Sequence, residues 1–525
     1  MTTTGDAELS AARRWGVLAC LCVTLLLISL DTTILNIAMP SIVRSLKANS
    51  SQLQWMVDAY AMAFAGLLLL LGSLGDRVGR KWTFMAGLAV FAASSTGSAF
   101  AATPDRLVLA RAAMGVGAAA IMPSTLSILA NVFPEERDRS RAIGIWSGTT
   151  GLGVAAGPVV GGWLLAHFWW GSVFLVNVPI ALAGLVTAAL VVPNSRNPAA
   201  KRPDPGGAAL SVAGLGALLW GIIEAPGRGW GSPPILGALG GSVVAMTAFV
   251  LWERRSDHPL LPMKFFRSRR FSAAVAAMAL ILFGLLGAFF VLTQWLQFAL
   301  GYSPLQSGLR VAPIALVLLV AAPVSTALAR RIGSKPVVFS GLLLISLGLG
   351  LLSRTSAASH YLGAVPAFVL LGVGAGLALA PSTESVLGSL PREEAGVGSA
   401  TSDTALQLGG ALGVALVGTA LNMRYQGRLA PLLAHYPVPT PIRQLILGSL
   451  GGARAVAARV GGATGAALDE AARSAFLSGM DTGLLVGSLV VAAAALVVLV
   501  VLPNRPNRPD PATPDNARRA PDSNG

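Results

Sequence analysis

WGVLACLCVTLLLISLDTTILNIAMP, the stretch from Trp15 to Pro40, runs for sixteen residues without a charge and then meets one carboxylate, Asp31. A helix needs about 20 apolar residues to cross the ~30 Å hydrocarbon layer, so the stretch is long enough to span with Asp31 inside it. By the ~1.5 Å rise of a helix, Asp31 lies about nine residues, or ~13 Å, from the end of the span. A carboxylate at that depth is costly unless it is paired, protonated or faces water. Arg13 and Arg14 before the apolar run resemble the start of a signal peptide. The run outlasts such a segment and has no small-residue cleavage site, so it reads as a retained first helix.

The same pattern recurs along the chain. Hydrophobic residues make up 54% of the 525 residues and charged ones 12%, too little polar surface to cover a soluble fold of this size. Lipid offers no partner to an open strand edge, so the spans are helices. Fourteen spans are expected, near 15–39, 53–72, 83–102, 106–127, 142–165, 172–192, 207–225, 235–252, 271–296, 306–329, 336–354, 361–382, 399–422 and 480–502. The net charge of +15 does not gather into a nucleic-acid patch, because the basic residues fall in short loops between apolar runs. They crowd alternate loops: Arg77, Arg80 and Lys81; Arg137, Arg139 and Arg141; Arg196, Lys201 and Arg202; Arg254 to Arg270; Arg330, Arg331 and Lys335. The positive-inside rule puts those loops and both termini in the cytoplasm.

A weak internal repeat divides the chain. Residues 74–83 read LGDRVGRKWT and residues 328–337 read LARRIGSKPV, each between two apolar runs. Duplicated halves are common in secondary transporters. The expected organisation is a cytoplasmic N terminus (1–14), a six-helix bundle (15–192), a linker with two extra spans (193–270) and a second six-helix bundle (271–502). Within the second bundle, 423–479 is an extracellular loop with a short amphipathic helix around 464–477. The Pro-, Asn- and Arg-rich tail, 503–525, is expected to be disordered.

Several side chains stand out against this background. Asp31 reads either as a proton carrier or as a structural residue bonded to neighbouring helices. Arg111, in the fourth span, reaches a similar depth band and can pair with it. Proton uptake by Asp31 would then release the arginine. Asp58, Asp403, Glu224 and Glu384 are further acids near span ends, of which Asp58 and Asp403 are the stronger candidates for proton coupling. Gly72, Asp76, Arg77, Gly79 and Arg80 form a tight basic turn, in which the glycines permit the turn and Asp76 can cap or pair. Gly144, Gly153, Gly157, Pro158, Gly161 and Gly162 give the fifth span a nearly bare face with a kink, suited to close packing against a sliding partner. Trp55, Tyr60, Phe290 and Trp295 are candidates for an aromatic drug pocket favouring cations, or else membrane-interface anchors. Cys20 and Cys22 read as small core residues. The chain has no phosphate-cradling loop of the nucleotide-binding kind and no His/Cys metal cluster, so neither ATP, metal nor other cofactor is expected.

These motifs resemble the major facilitator superfamily, and in particular its fourteen-helix drug:proton antiporters. Residues 72–81 are similar to the loop motif between the second and third helices, 107–115 to the fourth-helix motif, and 144–162 to the fifth-helix antiporter motif. Residues 30–40 are similar to the first-helix motif of that branch, and 54–60, 174–179, 294–304 and 407–413 agree as well. The resemblance implies an all-α polytopic membrane protein with two six-helix bundles and two extra central helices. It implies a non-enzymatic, monomeric secondary transporter of the bacterial cytoplasmic membrane, driven by the proton gradient. It would export drugs, antibiotics or similar small lipophilic compounds, the intramembrane acids suiting cationic ones, and its partners would be protons and membrane lipid. In this reading Asp31 and Arg111 couple protons, and Asp76 helps gate the cytoplasmic side. One departure stands out: many relatives carry Arg before the Gln of the 407–413 motif, where this chain has Leu406. Two other readings remain: an exporter of one self-made antibiotic or metabolite, and a non-transporting sensor on the same scaffold.

Overall fold

The computed structural model describes residues 10–196, 203–354, 361–390 and 395–504. Residues 1–9, 197–202 and 505–525, which hold most of the expected N terminus and tail and part of the linker, lie outside the described residues. The first half contains α1 (Ala11–Leu46), α2 (Ser50–Val78), α3 (Arg80–Ala99), α4 (Pro104–Val132), α5 (Glu136–His167), α6 (Ser172–Leu175) and α7 (Asn177–Val191). A pair follows, α8 (Pro205–Arg228) and α9 (Pro233–Arg255). The second half contains α10 (Arg269–Gln294), α11 (Pro304–Ile332), α12 (Ser334–Leu352), α13 (Tyr361–Leu387), α14 (Ala395–Ala434), α15 (Thr440–Gly448), α16 (Leu450–Val460) and α17 (Gly462–Val501). We call the end of the molecule that bears the start of α1 the near end and the opposite one the far end.

Among the described residues, thirteen stretches are long and apolar enough to cross a membrane, α6 and α7 together making one of them. The fourteenth expected span is α3, whose 20 residues open on Arg80-Lys81 and end in Ser94-Ser95-Thr96-Gly97-Ser98, which dilutes its apolarity. It is nonetheless packed between α4 and α7. The expected two six-helix bundles and extra pair are therefore present.

The repeat is visible in backbone contacts that only glycine allows. A Cβ at Gly153 or Gly157 of α5 would strike α1 at Ser29 or at Thr33 and the Leu30 carbonyl. In the second half, Gly409 and Gly413 of α14 press on the Ala279 and Phe283 carbonyls of α10. Gly115 of α4 abuts the Tyr60 carbonyl of α2, and Gly372 of α13 abuts the Ile314 carbonyl of α11. The turns between the second and third helices of each half are made by Gly79 at φ 133° and Gly333 at φ 93°, a region that favours glycine. Those two residues hold the same place in the repeated segments 74–83 and 328–337.

The expected loop 423–479 is almost wholly helical. α14 and α17 each run for 40 residues, about 60 Å at ~1.5 Å per residue, twice what the hydrocarbon layer requires. The amphipathic helix expected at 464–477 is the opening of α17, not a separate element, because nothing between Ala463 and Val501 breaks the helix. α15 and α16 turn back over the far end, where Gly451 meets Val43 of α1 and Arg454 donates to the Phe298 carbonyl.

Hydrogen bonds that join the two halves directly lie at the far end among the described residues. Ser50 Oγ donates to the Gly448 carbonyl (2.8 Å) and Gln297 Nε2 to the Ile37 carbonyl (2.9 Å), and Thr419 Oγ1 lies 3.4 Å from Gln54 Oε1. On the other seam, a Cβ at Gly162 of α5 would lie 2.7 Å from the Leu305 Cα of α11, and Gly308 of α11 is pressed on the Pro158 carbonyl.

A candidate proton-coupling site

The heart of the first half is a buried charge network. Asp31 is 0% and Arg111 1% exposed. Arg111 Nη1 lies 2.6 Å from Asp31 Oδ2, and its Nε donates to the Met56 carbonyl at 3.0 Å. Asp31 Oδ1 accepts from Asn177 Nδ2 at 3.1 Å, and the same amide group reaches Ser95 Oγ at 3.2 Å. Ser95 in turn donates to the Phe174 carbonyl at 2.9 Å. The Tyr60 ring covers the guanidinium, 4.3 Å from Arg111 Cζ to its centroid. Both carboxylate oxygens are thus satisfied by donors from α4 and α7, which is what an ionised carboxylate needs out of water.

The sequence explains the assembly. α1 is apolar on every side, so it is enclosed by α4, α5 and α7, and Asp31 is carried inward with it. Arg111 sits two turns into α4, whose start Thr103 caps and Pro104 opens. Asn177 and Ser95 carry part of the site without having been singled out. Asn177 lies in the 174–179 motif, and the signal for it was a lone amide at the start of a strongly apolar helix.

The glycine face of α5 seats α1 on either side of Asp31. A Cβ at Gly153 would lie 2.5 Å from Ser29 Cβ, one at Gly157 would overlap Thr33 Oγ1, and one at Gly161 would lie 2.6 Å from Ile34 Cγ1. Gly162 faces α11 instead, and Gly144 has open space around it. Pro158 has no N–H to give the Val154 carbonyl four residues earlier. Thr33 Oγ1 donates to that carbonyl at 3.4 Å. The helix kink therefore supplies an acceptor that ties α5 to α1.

The basic turn is assembled from the first half and the start of the linker. Asp76 and Arg80 pair at 2.8 Å, and Arg80 Nη1 donates to the Ser127 carbonyl of α4 at 3.3 Å. A Cβ at Gly79 would lie 2.7 Å from Asn194 Oδ1, and one at Gly72 would lie 3.2 Å from Pro123 Cβ. Arg77 is exposed.

Of the other expected acids and aromatic residues, Tyr60 alone is drawn into the network among the described residues. Asp58 on α2 is 0% exposed, and neither of its oxygens has a hydrogen-bond partner among the described residues. Asp403 on α14 is half-buried and makes no ion pair among the described residues. Of the four aromatic candidates, Trp55 alone lines a described cavity. That cavity, of about 810 Å³ at the far end, also exposes Asp105, Glu224, Asn422 and Gln426. Tyr60, Phe290 and Trp295 are packed in the core, with Tyr60 committed to Arg111.

Comparison with known proteins agrees with this architecture. The chain is 36% identical over 486 residues to the multidrug efflux pump LfrA of Mycolicibacterium smegmatis, covering 93% of this chain and 96% of that protein. It is 35% identical to the tetracenomycin C resistance and export protein of Streptomyces glaucescens, over 92% of this chain and 91% of that one. A solved bacterial homolog of the human lysosomal transporter Spinster, inward-facing and unoccupied, superposes with a TM-score of 0.66 over 95% of this chain and 99% of that one, at 18% identity. The sequence profile of the Major Facilitator Superfamily matches residues 21–414, and the chain belongs to that family.

Proposed function

We propose that this protein exports drugs, antibiotics or similar lipophilic compounds across the bacterial cytoplasmic membrane in exchange for protons. The observation that carries the reading is the Arg111–Asp31–Asn177 network, a buried charge set that joins three helices of the first half. In this reading the near end faces the cytoplasm, with both termini there, and the chain works as a monomer without a bound cofactor. The far end is closed, since the bonds between the halves lie there. A proton from outside adds to a carboxylate oxygen of Asp31. The ion pair with Arg111 becomes an ordinary hydrogen bond, and α1 and α4 are no longer held by charge. Loss of that proton to the cytoplasm restores the pair and resets the carrier. Asp58 and Asp403 serve as further proton or cation sites. The residues 72–80 hold the near side through Asp76, and the glycine face of α5 lets α1 shift.

The relatives named as multidrug pumps support a broad cargo. A second reading, export of one self-made antibiotic, is favoured by the relative named for tetracenomycin C. Dye efflux in a pump-deficient host, with and without an uncoupler, tests the first. Uncoupler-sensitive efflux of several cations is expected. Efflux that ignores the uncoupler would refute proton coupling, and release of a single compound would favour the second reading.

A further inference from the structure

The two seams between the halves are built differently. Where α5 meets α11, backbone rests on backbone through Gly162 and Gly308. Where α2 meets α14, a third helix, α8, lies along the join: Leu219, Ile222 and Ile223 pack with Ala61 of α2 and with Ala411 and Ala415 of α14, and two hydrogen bonds are added to that packing. Thr419 Oγ1 of α14 donates to the Ile222 carbonyl of α8 at 3.0 Å, and Ser51 Oγ of α2 donates to the Ile223 carbonyl at 3.3 Å. Neighbouring carbonyls of α8 thus hold opposite halves of the molecule.

Pro226 explains why a carbonyl is free to do this. It lies inside α8, four residues after Ile222, and lacks the N–H that would otherwise close the helical bond. Thr33 uses the Val154 carbonyl left by Pro158 in the same way, but within one half. At Ile222 the freed acceptor crosses the seam. α8 is anchored to the first half, since Gly66 receives Val212, Gly216 faces Met62, and Ser51 adds its bond. α9 packs on α8 and touches the 263–267 turn.

We propose that α8 is a clamp on the far-end gate: it travels with the first half, and the Thr419 bond to the proline-freed Ile222 carbonyl breaks each time the far end opens. This gives the extra helix pair a role in conformational balance. It rests on the alternating-access reading of the fold.

The test uses the full chain with Cys20→Ala and Cys22→Ala, spin-labelled at Leu109→Cys on α4 and Gln426→Cys on α14. Both positions line the 810 Å³ cavity beside the seam, one in each half. Double electron–electron resonance in liposomes then reads the ratio of long to short distances without substrate. Thr419→Val is expected to raise the long-distance fraction roughly threefold, the effect of one interhelical hydrogen bond. Pro226→Ala returns an N–H to Ile222 and is expected to shift the ratio the same way by less. Thr419→Ser keeps the hydroxyl and should match the parent. Because Thr419 also touches Gln54, Pro226→Ala is the variant that acts on the Ile222 carbonyl alone. Pro226→Ala or Thr419→Val behaving as the parent, or Thr419→Ser shifting as far as Thr419→Val, overturns the clamp while leaving the alternating-access reading intact. One unchanging distance in the parent and every variant would overturn both.

Discussion

The two halves share a scaffold and differ at its centre. If Gly157 against the Leu30 carbonyl is matched with Gly413 against the Phe283 carbonyl, Asp31 corresponds to Gly284. If Gly115 against Tyr60 is matched with Gly372 against Ile314, Arg111 corresponds to Phe368. Gly284 carries the Ile345 methyl against its backbone, and Phe368 is fully buried. The second half therefore fills with apolar packing the place where the first half holds an ion pair. Replacing a buried pair by packed apolar residues is often neutral or stabilising. The second half shows that packing of this kind does not require such a pair, and proton coupling, as proposed above, is the role that would retain Asp31 and Arg111.

The comparison breaks most decisively if the charge pair proves structural. Arg111→Phe alone leaves Asp31 buried without its cation and should cost about 3–5 kcal/mol, read as a lower unfolding temperature in detergent. Asp31→Gly with Arg111→Phe copies the second half's solution and should recover most of that loss. Both variants should show no uncoupler-sensitive efflux, and so should Asp31→Asn at normal expression. A double variant as unstable as Arg111→Phe, or one that still pumps, would undo the contrast between the halves.

The glycine contacts give the next largest effect. Gly157→Val drives a side chain into Thr33 and the Leu30 carbonyl, and Gly413→Val does the same at Phe283. Each should destabilise by roughly 1–3 kcal/mol as overpacking does. Gly144→Ala has open space and replaces a helical glycine, so unfolding temperature should hold or rise slightly. Equal losses at Gly144 and Gly157 would show that the motif is not read through α1.

Asp58 sharpens the argument from the other side. It is as buried as Asp31 but has no hydrogen-bond partner among the described residues, and an isolated charge there would cost several kcal/mol. Asp58→Asn should accordingly leave stability within about 1 kcal/mol of the parent, or raise it, while slowing efflux. A loss of stability as large as that of Arg111→Phe would mean that Asp58 is charged and paired.

How much of this could be read from the residues alone follows from what each signal depends on. The spans were legible because lipid imposes long apolar runs, and the turn glycines because 74–83 and 328–337 repeat. The depth of Asp31 and Arg111 followed from helical rise, which fixes height but not the direction in which a side chain points. Asn177 and Ser95 escaped for that reason: their importance depends on which face of α7 and α3 meets Asp31. Tyr60 was grouped with pocket aromatics because a ring at a span end looks alike whether it meets a drug or a guanidinium. The helical content of 423–479 escaped because its charges and glycines lowered its apolarity, while helix formation beyond the membrane needs only the absence of a breaker.

The smallest effect concerns the repeated turns. Asp76 stands where the second half has Arg330, so the Asp76–Arg80 pair has no counterpart there. The pair is partly exposed and spaced i,i+4, and such pairs contribute about 0.3–0.5 kcal/mol. Asp76→Asn should thus barely move the unfolding temperature. If the pair were only a staple within the first half, efflux would be equally unmoved. If Asp76 instead finds a partner on the second half when the near end closes, efflux should fall several-fold with stability unchanged. Basic Arg330 and Arg331, both exposed at the near end of α11, are then the groups to reverse: Arg330→Asp combined with Asp76→Arg should restore part of the lost efflux. Failure of that exchange, with Asp76→Asn as active as the parent, would assign the turn to folding and leave closure of the near end to other residues.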